Sequence, residues 1–243
     1  MADPTTAPAA VLGPLSARSM VLSLMLGSHP DRKSPADLTR AGELFGIPAG
    51  TLRVALTRAV AAGDLRREGS DYLLGDRLVA RQRRQDEAVE AADAPWDGEW
   101  ELAVVVVTGR PGPERAALRE RLAGLRLAEL REGVWTRPAN LSRTLEPDPV
   151  LSTFRGVPDD DPATLAAGLW DLAGWASRGR AVLASLTGTH DPPQRLAVAA
   201  QLVRHLTTDP LLPSVLLPDD WPGAELRAAY ADYQRELRDL SLA

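Results

Sequence analysis

Cysteine is absent from the 243 residues of the chain, which excludes disulfides, thiol nucleophiles and cysteine-bound zinc or iron–sulfur centres and fits a reducing cytoplasm. Histidine is scarce: His29, His190 and His205 lie far apart, and none stands in an HxH, HxxE or HExxH spacing, so no metal site is expected. GxSxG, Walker and GxGxxG patterns are missing, which argues against a nucleophile elbow, a triphosphate cradle and a dinucleotide fold. No run of about eighteen apolar residues is free of charge, and MADPTTAPAA at the start has neither the basic head nor the apolar core of a secretory leader. A cytoplasmic protein without cofactor, metal or catalytic activity is the expectation.

What is present is an uneven distribution of charge. The net charge of -5 hides a basic front: residues 15–84 hold 12 basic and 7 acidic side chains, whereas residues 96–243 hold 16 basic and 21 acidic ones. A basic front on an acidic body points to a nucleic-acid module joined to something else.

The organising stretch is Ser34–Leu74. Ser34-Pro35 is an N-cap followed by proline at the first helical position, and Leu38, Ala41 and Leu44 recur at helical spacing. Ile47-Pro48 makes a tight turn into a second helix from about Ala49 to Ala62, with Gly63 as its stop. In that helix Leu52, Ala55, Leu56, Ala59 and Val60 form one apolar stripe, which leaves Thr51, Arg53, Val54, Thr57 and Arg58 facing out. Arginine bonds guanine edges bidentately, threonine offers a hydroxyl and a methyl, and valine meets a thymine methyl, so the outer face suits a major groove. Asp64–Arg67, a Glu68-Gly69-Ser70 turn and Asp71–Leu74 read as a short hairpin, a wing that sets Arg66 and Arg67 against phosphate. The expected DNA contacts are Thr51, Arg53, Thr57, Arg58, Arg66 and Arg67.

The rest of the chain divides by pattern. Residues 1–14, rich in alanine, proline and threonine, read as a disordered tail ahead of a winged helix-turn-helix over 15–75. Residues 76–95 read as a largely exposed linker helix, in which Arg77, Arg81 and Arg84 extend the DNA contact or pair with acids. Over 96–160 the order is strand 102–107, helix 113–124, strands 127–130 and 134–136, a stunted helix within 140–146, and strand 151–157, which is the split βαβ order of a ferredoxin-like domain. Residues 161–243 read as a helical C-terminal domain with helices at 163–176, 180–186, 193–207 and 223–240. Between the last two, four prolines in Asp209–Pro222 forbid a helix while the leucines demand burial, so an ordered, pinned loop is expected. The fold class is α+β.

Trp96-Asp97-Gly98-Glu99-Trp100, Gly133-Val134-Trp135 and the long DPLLPxxLLPxDWPG stretch at Asp209–Gly223 resemble the phenylacetic acid degradation repressor (PaaX) family of bacterial transcription regulators, over roughly Leu15–Tyr233. The resemblance implies a winged helix, a Cas2-like ferredoxin domain and a C-terminal domain. It further implies a homodimeric repressor that binds double-stranded DNA at a palindromic operator and is released by an aromatic acyl-CoA, typically phenylacetyl-CoA. Arg110 and Arg137 are candidates for the coenzyme's phosphates, but among 27 arginines the sequence does not single out an effector site. The short wing and shrunken second helix of the middle domain depart from the family pattern.

Two other classes compete with a repressor. A Cas2-like metal-dependent nuclease needs an acid at the end of the first strand, where this chain reads Val107-Thr108-Gly109-Arg110. The Asp159-Asp160-Asp161 run reads as a helix start that favours the positive end of the dipole. A protein-interaction adaptor whose winged helix binds no DNA is the other alternative, which salt-dependent binding to promoter fragments separates from a repressor. The six tryptophans read mainly as core.

Overall fold

A computed structural model describes residues 15–90, 95–143 and 145–242, so the tail expected over 1–14 lies outside the described residues. The chain is α+β and divides into two compact units, one of Met1–Glu90, Ser177–Asp209 and Pro222–Ala243, the other of Ala91–Ala176 and Pro210–Trp221.

The first unit opens with α1 (Ala17–Leu26), capped by the Ser16 hydroxyl, and α2 (Pro35–Leu44), whose Ser34–Asp37 pair forms a reciprocal capping box. Gly46, at φ 67°, turns the chain into α3 (Ala49–Ala61). Strands β1 (Leu65–Glu68) and β2 (Asp71–Leu74) pair antiparallel about Gly69, with Leu65 opposite Leu74. A bridge at Lys33 adds a third, one-residue rung beside Tyr72.

Helix α4 (Asp76–Val89) is less exposed than its sequence suggests, because its inner stripe consists of Leu78, Gln82, Gln85 and Ala88. Gln82 is buried and donates to the carbonyls of Met25, Leu26 and Ser28 at 3.3, 3.2 and 3.0 Å, closing the open end of α1. The C-terminal helices of this unit are α8 (Pro192–Leu206), with eight buried residues, and α9 (Gly223–Leu242). Helix α8 packs on α1, α4 and α9. Residues 161–243, expected to form a domain of their own, are thus shared between the two units.

In the second unit β3 (Trp100–Val105), α5 (Gly112–Gly124), β4 (Ala128–Arg131), β5 (Val134–Pro138) and β6 (Leu151–Gly156) build one antiparallel sheet in the order β4-β5-β3-β6. This is the ferredoxin-like order. The stunted helix expected within 140–146 does not form: apart from Thr144, which lies outside the described residues, the crossover from 139 to 150 is non-helical, with Pro147 and Pro149 blocking its second half. One sheet face, with Ala103 and Trp135, packs Leu118 and Leu122 of α5. On the other face Trp100 meets Ala166 of α6 (Pro162–Leu169), Leu172, Leu212 and Leu216.

Helix α6 and helix α7 (Leu172–Gly188) together replace the two segments expected at 163–176 and 180–186. The break falls earlier, where Trp170 leaves α6 in an extended conformation and Asp171 caps the Gly174 N–H at 2.9 Å. Gly179 does not end the helix; it permits close packing, since a Cβ there would lie 2.9 Å from a Leu226 methyl. The proline-rich stretch 210–221 is an ordered loop with a 3-10 turn at Ser214–Leu216, and Trp221 stacks on Trp175 at 4.3 Å.

Candidate nucleic-acid interface

Helix α3 has the polarity its sequence demands. Leu52, Ala55, Leu56 and Ala59 are buried, while Thr51, Arg53, Val54, Thr57 and Arg58 are exposed, Val54 to 49 %. Among the described residues neither Arg53 nor Arg58 is drawn into an ion pair. Thr57 donates its hydroxyl proton to the Arg53 carbonyl at 3.0 Å, which leaves its oxygen as an acceptor.

The wing is held near its tip. Arg32 reaches across to Glu68 at 2.7 Å and Asp71 at 3.2 Å, and Lys33 exchanges backbone bonds with Tyr72 at 3.0 and 2.9 Å. Glu68 and Asp71 raise the Arg32 guanidinium above its ordinary range, the Glu68 hydrogen bond being the largest cause. Arg67 lies over the Tyr72 ring at 5.3 Å, and Arg66 is 3.3 Å from Glu68; both are exposed. Sequence reasoning missed Arg32 and Lys33, whose only cue is a charged triplet just before the Ser34 cap.

Between helix and wing sits Asp64, with 1 % of its side chain exposed and held by Arg18 and, at 2.6 Å, by Arg77. The Arg18 hydrogen bond, then Arg77, holds its carboxyl below the ordinary carboxylate range against the opposing effect of burial. A depressed folded-state pKa stabilises above the unfolded value and is lost as pH falls through the folded one. Wild type should therefore lose stability from about pH 4 downward more steeply than Asp64→Asn in acid titrations followed by circular dichroism; parallel curves would refute the clamp.

Of the three arginines offered as an extension of the interface, Arg77 is engaged by Asp64. Arg81 is half-buried near Arg204, whose guanidinium is pushed below its ordinary range first by burial and then by the Arg81 charge. Arg84 is exposed. His29 meets Asp86 at 3.1 Å, and among the described residues no cluster of His, Cys, Asp and Glu could hold a metal ion. Arg137, considered above for a coenzyme phosphate, is fully buried and bonded to carbonyls of its own unit, including that of Leu211 at 2.9 Å, so it cannot serve there.

Three family models match in succession: PaaX-like protein over residues 16–78, the PaaX protein central Cas2-like domain over 93–147, and the PaaX-like protein C-terminal domain over 174–243. No curated protein matches. Among solved structures, the uncharacterized protein Rv0674 from Mycobacterium tuberculosis superposes with a TM-score of 0.81 at 48% identity, covering 93% of this chain and 97% of that one. No described helix is long and apolar enough to cross a membrane. With a winged helix, a ferredoxin-like sheet and a pinned proline-rich loop each matched in order, the chain belongs to the PaaX family of transcription regulators.

Proposed function

We propose that the protein is a cytoplasmic, dimeric transcriptional repressor of a catabolic operon for phenylacetate-type compounds, without catalytic activity of its own and released by an aromatic acyl-CoA such as phenylacetyl-CoA. Helix α3 lies in the major groove with Thr51, Arg53, Thr57 and Arg58 toward base edges, and Arg66 and Arg67 of the wing meet phosphates. The observation that carries this reading is the solvated face of α3, where two arginines stand, among the described residues, without internal ion pairs while the leucines are inside. Two copies read a palindromic operator. Support for self-association comes from Phe154 of the edge strand β6 and Val157 just beyond it, exposed to 56% and 68%.

Arg53→Ala is expected to cost about 1–3 kcal/mol at the cognate operator and to relax specificity, whereas Arg66→Ala should weaken all duplexes alike and lower the salt slope by about 1. Fluorescence anisotropy on operator and scrambled duplexes across salt concentrations separates the two. Unchanged operator affinity in both variants would remove this face from DNA recognition.

A further inference from the structure

The second unit contains a cavity of about 360 Å³ at the end of β3, a size that suits a small ligand. Its wall is apolar where Val105, Leu118 and Trp135 meet and cationic where Arg110, Arg115 and Arg119 meet, with the carboxylates of Glu129 and Glu132 on the same lining. The charges are unequally engaged. Arg119 is held by Glu129 at 3.0 Å, and Glu129 also accepts from the Gly133 N–H at 3.4 Å. Arg115 is exposed and, among the described residues, has no ion-pair partner.

Arg110 stands out. Its Nε faces Glu114 at a loose 3.5 Å and its Nη2 donates weakly to the Glu114 carbonyl at 3.4 Å, while Nη1 is buried and, among the described residues, has no hydrogen-bond partner. An orphaned buried donor is costly, so a guanidinium kept in that state calls for an acceptor. Neither Glu114 nor Glu129 meets that Nη1: Glu114 faces Nε, and Glu129 is bound to Arg119.

We infer that this cavity is the effector site and takes an anion carried on a flat apolar body, the anion on Arg110 and Arg115 and the body against Trp135 and Leu118. This assignment rests on the effector-released repressor proposed above. The anion has two possible sources, the phosphates of an aryl acyl-CoA or the carboxylate of a free aryl acid, and both present oxygens to a guanidinium fork.

The test uses the full-length protein, with phenylacetyl-CoA, phenylacetate and coenzyme A as probes in isothermal titration calorimetry and in operator-release assays. Arg110→Met and Arg115→Ala are each expected to raise the dissociation constant of the binding probe at least 10-fold. Arg110→Met should leave the ligand-free melting temperature unchanged or raise it, which a merely structural arginine would not do. Binding of phenylacetate at the affinity of its thioester assigns the carboxylate as the anion; binding that requires the coenzyme assigns the phosphates. If wild type is released from the operator by phenylacetyl-CoA and both variants respond identically, the cavity is the wrong site although the regulatory reading stands. If wild type binds none of the probes, both fail together.

Discussion

Arg137→Met is expected to destabilise the second unit by about 3–5 kcal/mol, the cost of removing one partner from a buried charged network. The guanidinium has 0 % exposure and donates to the carbonyls of Pro138 at 3.0 Å, Pro210 at 3.3 Å and Leu211 at 2.9 Å and to Asn140 Oδ1 at 2.9 Å, with Glu101 3.5 Å away. Methionine fills much the same volume but leaves those acceptors in a site closed to water, each an unmet desolvation. Glu101 keeps Arg143 at 2.6 Å, so the damage concentrates on the loop carbonyls. Leu211 adds to the cost because it adopts φ 51°, a left-handed conformation that a branched residue holds only when its surroundings demand it. Its carbonyl accepts from both Arg137 and Asn140, the latter at 3.0 Å. Release of the loop should also disturb the Trp175–Trp221 stack, so tryptophan fluorescence and denaturant unfolding report the same event. An unchanged midpoint would show that the leucine contacts alone fix the loop. Arg137→Lys should recover only part of the loss, because an ammonium cannot span acceptors set around a planar fork.

Gly75→Ala should cost about 3 kcal/mol, the upper end of overpacking penalties, and lower the melting temperature by roughly 6–12 °C in a chain of this size. A Cβ at that position would lie 2.1 Å from the Gly63 carbonyl oxygen and 3.2 Å from that of Asp64. Both obstacles are backbone, so no side chain can swing aside. The Gly75 N–H also donates to the Asp64 carbonyl at 2.7 Å, which clamps the β2–α4 junction directly onto the α3–β1 junction. Because Arg66 and Arg67 ride on β1, the substitution should reduce affinity for every duplex, unlike Arg53→Ala, which acts on the cognate site. Differential scanning calorimetry together with anisotropy measures both effects; a variant as stable as wild type would show that the junction has room to open.

Much of this architecture is written in short-range pattern. The capping box at Ser34, the glycine stops at Gly46 and Gly63, and the leucine stripe of α3 are local features that each fix a boundary or a buried face. The apolar run from Leu102 and the strand and helix alternation that follows it likewise suffice for the ferredoxin order. What stayed hidden depends on partners distant in sequence. The periodicity of 193–207 says that a face is buried but not against what, and its partners include α1 and α4, more than a hundred residues away. The α4 stripe escaped because glutamines, not leucines, form half of it, and the Gln82 amide is satisfied by carbonyls at the end of α1. Arg137 gives no local hint of burial: an arginine beside a tryptophan reads as a surface residue until the carbonyls of a loop some seventy positions later close around it. The candidate DNA face was legible for the same reason as the fold, since one helix sets it; the arginine cavity was not, because α5 and three separate segments assemble it.

The attachment of the last helices to the first ones limits how this regulator can be recombined. Arg227 in α9 donates to the Ala88 carbonyl at 2.9 Å and Gln234 to that of Gly27 at 3.3 Å, while α8 fills the space behind α1. A graft that moves residues 15–90 alone into another regulator would strip the packed backs of α1 and α4, so a transplantable cassette has to be discontinuous, with both tail helices travelling alongside the first ones.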